Sequence, residues 1–560
     1  MRAPEVRLFI AEKPSLARAI AEALPGPHAR SKTHIACGQG NVVAWCAGHI
    51  LETAAPEAYG AQYKKWRLGD LPITPRDWKL EVTAPELLRA IKALLGDAVR
   101  VVHAGDPDRE GQLLVDEVLD FLGYKGPVDR LLVRDLRPDA VRRQLGALEP
   151  NAKYRPLGAS ALARQRADWL YGINMTRLYT LLGRAAGYGG VLSVGRVQTP
   201  LLGLVVARDR AIAEFKPRAY YVFSATLRTE QGQTFRALWD PCGEGTSGAE
   251  EHLDSERRLL KREVADAVRE RVAGQSGAVT SRTQERKSEL APLPYSLAEL
   301  QMDAGRKLGL SAQAVLDACQ SLYETHRLTT YPRSDCSHLP EGHHGQATEV
   351  LDAIRSQLPA FALGVASADV ALRSKAWNDK KVTAHHAIIP TPNAGSSASQ
   401  LPGRERAIYE LISRRYLAQF YPAHQYLQSR VALEIAGERF VATGRQSIAA
   451  GWKVLETKDK GEGAADSSDD VAHENESDSA AALPRLEQRD RVTAVDVAIA
   501  DEETLPPKPF TDASLMAAMC AVGKFVTRPN IKKILTETDG IGTPATRAAI
   551  IETLFERGYL

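Results

Sequence analysis

The chain has 560 residues, too many for a single hydrophobic core, so roughly three or four domains are expected. Apolar residues make up 44% and charged residues 25%, and no apolar run reaches the length of a membrane span, which fits a soluble globular protein and argues against a disordered or integral membrane one. The net charge of +3 is mild for a nucleic-acid binder, but residues 461–480 hold seven acids and no Lys or Arg; with those acids set aside the rest carries +10, enough to line a groove.

Near the N-terminus "VRLFIA" reads as a short strand rather than a secretion signal, which points to the cytoplasm. A helix, "PSLARAIAEAL", follows with Pro14 where a first turn tolerates it. "VRVVHAG" repeats the strand, and "DPDREGQLLVDEVLDFL" the helix, with Leu113, Leu114, Val118 and Leu122 on its apolar side. Strand then helix, twice, predicts a parallel sheet in an α/β domain.

Asp106, Asp108 and Glu110 lie at i, i+2 and i+4 where the second strand ends, the edge at which open α/β sheets present ligands. Three carboxylates this close repel unless a cation sits among them, and an incomplete all-oxygen shell suits Mg²⁺ beside phosphate. A solvated turn with acids at a helix N-terminus is the alternative. Glu12 and Lys13 end the first strand and can face the same crevice. A carboxyl able to carry a proton, a lysine for phosphate and a metal-ready triad point to phosphoryl transfer. No Walker motif and no Gly-rich dinucleotide fingerprint is present, so ATP and NAD are not expected.

After Pro156 the chain turns helical, and Arg164 and Asp168 in "ARQRADWL" are spaced to pair on one helix face. From Tyr220 to about Val279 it reads as strand-rich, with a polar insertion at 241–259. Residues 296–330 read as two helices joined at "LGLSAQ", with Ser311 as N-cap and Val315, Ala318, Cys319 and Leu322 as an apolar stripe. Then comes "LTTYPRSDC", in which Pro332 restricts Tyr331 to extended geometry and Arg333 follows two residues on. The acidic stretch 461–480 reads as a linker, "RVTAVDVAIA" as a strand and "ETLPPKPFTDASLMAAM" as a return to helix. The sequence stops at "ERGYL" just after a helix, and a continuation is expected. The six cysteines are scattered with no C-x-x-C pair, which argues against disulfides and zinc knuckles.

"FIAEKPSLARAIAEAL" and "HAGDPDREGQLLVDEVL" together resemble the Toprim domain. With "LSVGRVQTPLLGLVVARD", "LTTYPRSDC", "AHHAIIPT" and "GIGTPATRAAIIETLFERGYL" following in order, the chain resembles the type IA DNA topoisomerases, with the bacterial topoisomerase III branch nearest. The resemblance implies a multidomain fold of α/β plus α and β parts: an N-terminal Toprim domain with a Rossmann-like parallel sheet, within a four-domain torus. The implied domains are Toprim at 1–155, a helical single-strand-binding domain from 156–215 and 500–560 whose C-terminal part is truncated, a β-rich gate from 216–279 and 405–499, and a tyrosine-bearing helical domain at 280–404. The insertion at 241–259 falls where topoisomerase III enzymes carry a decatenation loop.

By the same resemblance Tyr331 is the nucleophile that leaves a 5′-phosphotyrosyl link, with Arg333 and Lys13 acting on the phosphate. Glu12 protonates the departing 3′ oxygen, and Glu12, Asp106, Asp108 and Glu110 hold Mg²⁺. His385 in "AHHAIIPT" matches the family histidine at the site, in preference to His386. Ser193, Arg196 and Gln198 in "SVGRVQTP", with Arg164 and Asp168, fit contacts to single-stranded DNA. The implied protein is a monomer, cytoplasmic and nucleoid-associated. Its activity is ATP-independent relaxation and decatenation, and its partners are replication or recombination proteins such as a RecQ-type helicase or a single-strand-binding protein. Another Toprim enzyme, a primase or nuclease, stays open as an alternative. So does a non-catalytic DNA-binding protein using residues 296–324 as a helix-turn-helix.

Overall fold

In the computed structural model, which describes residues 6–133, 136, 138–241, 250–392, 398–456, 482–537 and 540–560, the N-terminal part is a sheet with helices on both faces. In chain order it comprises β1 (Val6–Ala11), α1 (Pro14–Ala23), β2 (Ala29–Arg30), β3 (His34–Ala36), β4 (Asn41–Trp45), a small ribbon of β5 (Leu51–Thr53) and β6 (Leu80–Val82), α2 (Pro85–Asp97), β7 (Ala98–Ala104), α3 (Arg109–Phe121), β8 (Val128–Arg130), α4 (Pro138–Leu145) and β9 (Glu149–Pro150). The sheet order is β2-β3-β4-β1-β7-β8-β9, parallel from β4 to β8 and antiparallel at both margins. β1 is apolar without a break from Leu8 to Ala11 because both faces are covered there: Phe9 and Ala11 pack with Leu16 and Ile20 of α1, Leu8 and Ile10 with Leu114 and Val118 of α3.

The chain continues through the 31-residue α5 (Arg155–Ala185), α6 (Gln198–Ala213), β10 (Ala219–Thr229), β11 (Thr234–Trp239), α7 (Arg262–Val272) and β12 (Ser276–Glu289). A helical unit follows with α8 (Leu297–Leu308), α9 (Ala312–Glu324), α10 (Ala347–Gln357), α11 (Ala362–Ala366) and α12 (Gly403–Leu417). β13 (His424–Ile435), β14 (Glu438–Ala449) and β15 (Arg491–Glu503) then return to β10–β12 and close a six-stranded barrel of order β10-β11-β14-β13-β12-β15. α13 (Asp512–Cys520), α14 (Pro529–Glu537) and α15 (Pro544–Glu556) end the chain, and Met516, Met519, Ile551 and Leu554 join one core with α8, α9 and α12.

Several expectations from the sequence shift. The stretch 220–279 contains the helix α7, whose Ala265, Val268 and Val272 bury one face against the barrel core. The expected limits at 279, 405 and 499 each fall inside an element. β12 runs on past Val279 because it pairs with β13 as far as Glu289; its far half, "TSRTQERKSE", is largely exposed and lacks the alternation that marks a half-buried strand. α12 packs Ile408, Tyr409 and Ile412 beside α9 rather than into the barrel, and β15 extends to Glu503. Residues 242–249 of the polar insertion and all of the acidic stretch 461–480 lie outside the described residues. Among the described residues no helix is long and apolar enough to cross a membrane.

Candidate active site between the parallel sheet and the tyrosine segment

Strands β1 and β7 are parallel neighbours with Ala11 opposite Ala104, so the residues that follow each strand emerge side by side. Glu12 and Lys13 leave β1; Gly105 and Asp106 leave β7, and Asp108 caps α3 by accepting the Gly111 N–H at 2.7 Å. Glu12 Oε2 accepts the Asp106 N–H at 3.1 Å, tying the two strand ends together. Gly111 permits this: a Cβ there would sit 2.6 Å from the Asp106 backbone and 2.7 Å from Glu12 Oε2.

Beneath the loop lies a buried polar network. Arg130, 1% exposed, donates to the carbonyls of Gly105 and Asp106 at 2.7 Å each, to that of Leu131 at 2.8 Å, and to Gln112 Oε1 at 2.7 Å. Gln112 in turn donates to Asp116 and Asn151. Burial lowers the Arg130 guanidinium to about 10, yet it stays charged at neutral pH and fixes the carbonyls that aim Asp106. No motif announces these residues; an arginine in a three-residue strand reads as surface.

The tyrosine arrives from the other side. Residues 328–330 and 387–391 form a short ladder: Thr330 N–H donates to Ile389 O at 3.0 Å, Thr391 N–H to Leu328 O at 2.9 Å, and Thr330 Oγ1 to Ala387 O at 3.1 Å while accepting the Ile389 N–H at 3.0 Å. This pairing sets the His385 ring 4.3 Å from the Tyr331 ring, with Tyr323 edge-on at 5.7 Å. His385 Nε2 lies 3.0 Å from Asp106 Oδ2, Lys13 Nζ donates to the same oxygen at 2.7 Å, and Lys13 Nζ is 3.8 Å from the centre of the Tyr331 ring. Tyr331, His385, Lys13, Asp106 and Glu12 thus form one constellation drawn from two domains. His386 is turned away, against His343 and its own neighbour's carbonyl.

The electrostatics divide the acids. Burial, reinforced by the charge of Asp106, pushes the Glu12 carboxyl up to about 7. Burial also disfavours the Asp106 carboxylate, but the hydrogen bond from His385 and the ammonium of Lys13 outweigh it and hold Asp106 at about 2. Burial opposes the Lys13 charge, and Asp106, Tyr331 and Glu12 together more than restore it. The Tyr331 phenol is raised, chiefly by burial, with Lys13 the main opposing influence and Arg333 a minor one. Lys13, directly against the ring, favours the phenolate more than Arg333, although Arg333 is only two residues from Tyr331 in the chain. Arg333 is exposed and joins Lys13, Arg18, Arg30 and Arg327 around a cleft of about 850 Å³ that reaches Glu12 and Tyr331.

Glu110 and the expected DNA contacts form a second group. Glu110 faces Arg164 at 3.5 Å, and Arg164 lies 3.9 Å from Asp168. Asp168 is held mainly by Arg196, whose Nη2 donates to it at 3.1 Å. Gln198, opening α6, donates to Ser193 Oγ at 2.9 Å. Two residues that no pattern flagged complete this group: Arg557 donates to Ser193 Oγ at 2.6 Å and to Gln198 Oε1 at 2.9 Å, and the Tyr559 hydroxyl accepts the Ser193 N–H at 3.3 Å.

Among the described residues no three His, Cys, Asp or Glu side chains are arranged as a ready metal cage. The donor chemistry still fits Mg²⁺, which binds through one or two carboxylates and completes its shell with water and substrate phosphate. The charges of Asp106 and Asp108 both act to keep a proton on buried Glu12, a crowding of acids that a divalent cation relieves.

Residues 7–135 match the Toprim domain family, whose members generally bind a divalent metal, and residues 152–560 match the family described as DNA topoisomerase. The DNA topoisomerase 3 of Vibrio cholerae is 48% identical over 99% of this chain and 84% of its own length. That of Salmonella typhimurium is 48% identical over 99% and 83%, and that of Bacillus subtilis 33% identical over 98% and 72%. In fold, the chain resembles topoisomerase I from Thermotoga maritima, with a TM-score of 0.64, 21% identity, and coverage of 99% of this chain and 78% of that one. A single-stranded DNA substrate follows from the family, and the chain belongs to the type IA DNA topoisomerases, on the bacterial topoisomerase III branch.

Proposed function

We propose that the chain relaxes and decatenates DNA without ATP by transient cleavage of one strand at Tyr331. The observation that carries this reading is the meeting of Tyr331 with Lys13, Asp106 and His385 across a domain interface. Tyr331 Oη attacks phosphorus as its proton passes to solvent in the cleft; the P–O bond to the 3′ oxygen breaks, and Glu12, protonated at pH below about 7, gives its own proton to that oxygen. One phosphodiester replaces another, so the link can be resealed by the reverse steps. Lys13, with Arg333 at the cleft, neutralises the equatorial oxygens. Asp106 fixes Lys13 and His385 in place. Mg²⁺ is the ion we assign to this acidic group: Asp106, Asp108 and ionised Glu12 would hold it, with Glu110, which faces Arg164, at the margin, and it would supply charge stabilisation for the phosphate.

Ser193, Arg196, Gln198, Arg164 and Asp168 guide the strand to the cleft. The barrel acts as the gate, the protein as a cytoplasmic, nucleoid-associated monomer, and replication or recombination proteins as its partners. The primase, nuclease and non-catalytic readings lose ground because relatives named DNA topoisomerase 3 match nearly the whole chain. The helix-turn-helix reading is also weakened because the exposed residues of α9, Asp317 and Glu324, are acidic. The test is relaxation and decatenation of plasmid DNA with Mg²⁺ and no nucleotide. Activity is expected, lost in EDTA; an absolute requirement for ATP would contradict the proposal.

A further inference from the structure

Tyr331 separates two cavities of opposite character. On one side is the cationic cleft of about 850 Å³. On the other is a smaller cavity of about 300 Å³, whose apolar walls are Leu16 and Val133 of the parallel-sheet domain and Val350, Ile389 and Pro390 of the tyrosine domain, with Lys13, Asp106 and His385 at its catalytic edge. That size is the lower end of small-ligand pockets. Thr329 lines both cavities; it is 2% exposed, and its Oγ1 has no hydrogen-bond partner. A buried hydroxyl left unpaired is costly, so its placement at a cavity wall marks where a ligand's polar edge is received.

We infer that this cavity receives the base of the nucleotide whose 5′ phosphate is transferred to Tyr331. The inference rests on the topoisomerase reading and names a subsite of the same site. A nucleotide at the scissile bond presents an anionic phosphate and, within one residue's reach, a flat and largely apolar base; the two cavities flanking Tyr331 match those halves. Flipped bases are held in this way, between apolar walls with hydrogen bonds to their edge. Most of the walls belong to the tyrosine domain, so the base travels with the phosphotyrosyl link when the gate opens. That keeps the 5′ end aligned for resealing and makes the pocket a source of sequence preference at the cut.

The test uses a single-stranded oligonucleotide with one cleavage site, carrying at that position either a normal base or an abasic residue, with covalent adduct and religation rate as readouts. Wild type should lose about tenfold in cleavage rate on the abasic strand, the scale of one lost base contact. Val350→Phe, which fills the cavity, should cleave the normal strand as slowly as wild type cleaves the abasic one, with no further loss on the abasic strand. Thr329→Val removes the hydroxyl at nearly constant size and should narrow the discrimination even if the Phe variant fails to fold. Equal cleavage of both strands by wild type, or full discrimination retained by Thr329→Val, overturns the inference while leaving the topoisomerase reading intact. If wild type forms no adduct on either strand, both fall.

Discussion

Glu12 gives the site its pH dependence. Its carboxyl, raised to about 7 mainly by burial, is protonated below that pH and charged above it, so a step that draws its proton slows as pH rises through about 7. Single-turnover cleavage without added metal should therefore fall on that limb, and Glu12→Gln, which cannot donate, should be slow and flat. The same shift bears on stability with a definite sign. The folded chain holds a proton on Glu12 that the unfolded chain releases near the ordinary carboxyl value of 4.5, so folding loses stability between pH 4.5 and about 7. In EDTA, Glu12→Gln should raise the unfolding free energy at pH 8 by up to about 3 kcal/mol and leave it nearly unchanged at pH 4, as read by urea denaturation. Glu12, Lys13 and the acids after β7 were legible because strand ends and charge spacing are written locally. Arg130 and Arg557 were not, since their partners are carbonyls and side chains that only the fold brings near.

At the scale of elements, the ladder between residues 328–330 and 387–391 carries the aim of the tyrosine. Thr330→Val keeps the shape but leaves the Ala387 carbonyl and the Ile389 N–H without the threonine oxygen. It should cost about 1–3 kcal/mol in urea unfolding and lower cleavage more than Km, because His385 and Tyr331 lose their common frame. The helices of the tyrosine unit were readable from their caps: Ser311 does accept the Ala314 N–H. The helix α7 was not, although Ala265, Val268 and Val272 have helical spacing, because eleven residues between strands offer a weak periodic signal. The far half of β12 was missed for the opposite reason. A strand exposed on both faces has no alternation to read, and its length is dictated by pairing with β13.

Over the whole molecule, Asp106 joins the parallel sheet to the tyrosine unit through His385, and Lys13 does so through the Tyr331 ring, so the catalytic contact is also a clasp between domains. His385→Ala should loosen that clasp, with a wider distance distribution between labels on α1 and α10 in the free protein. The small net charge of +3 conceals the five cations around the cleft. Affinity for single-stranded DNA should fall with salt, and Arg327→Ala should lower the slope of log K against log salt by about 0.7. The central claim is covalent catalysis at Tyr331, and trapping the protein on a labelled single-stranded oligonucleotide tests it most directly. Wild type should yield a 5′-phosphotyrosyl peptide containing Tyr331, and Tyr331→Phe none; an adduct that persists in Tyr331→Phe, or maps to Tyr323, would contradict the account.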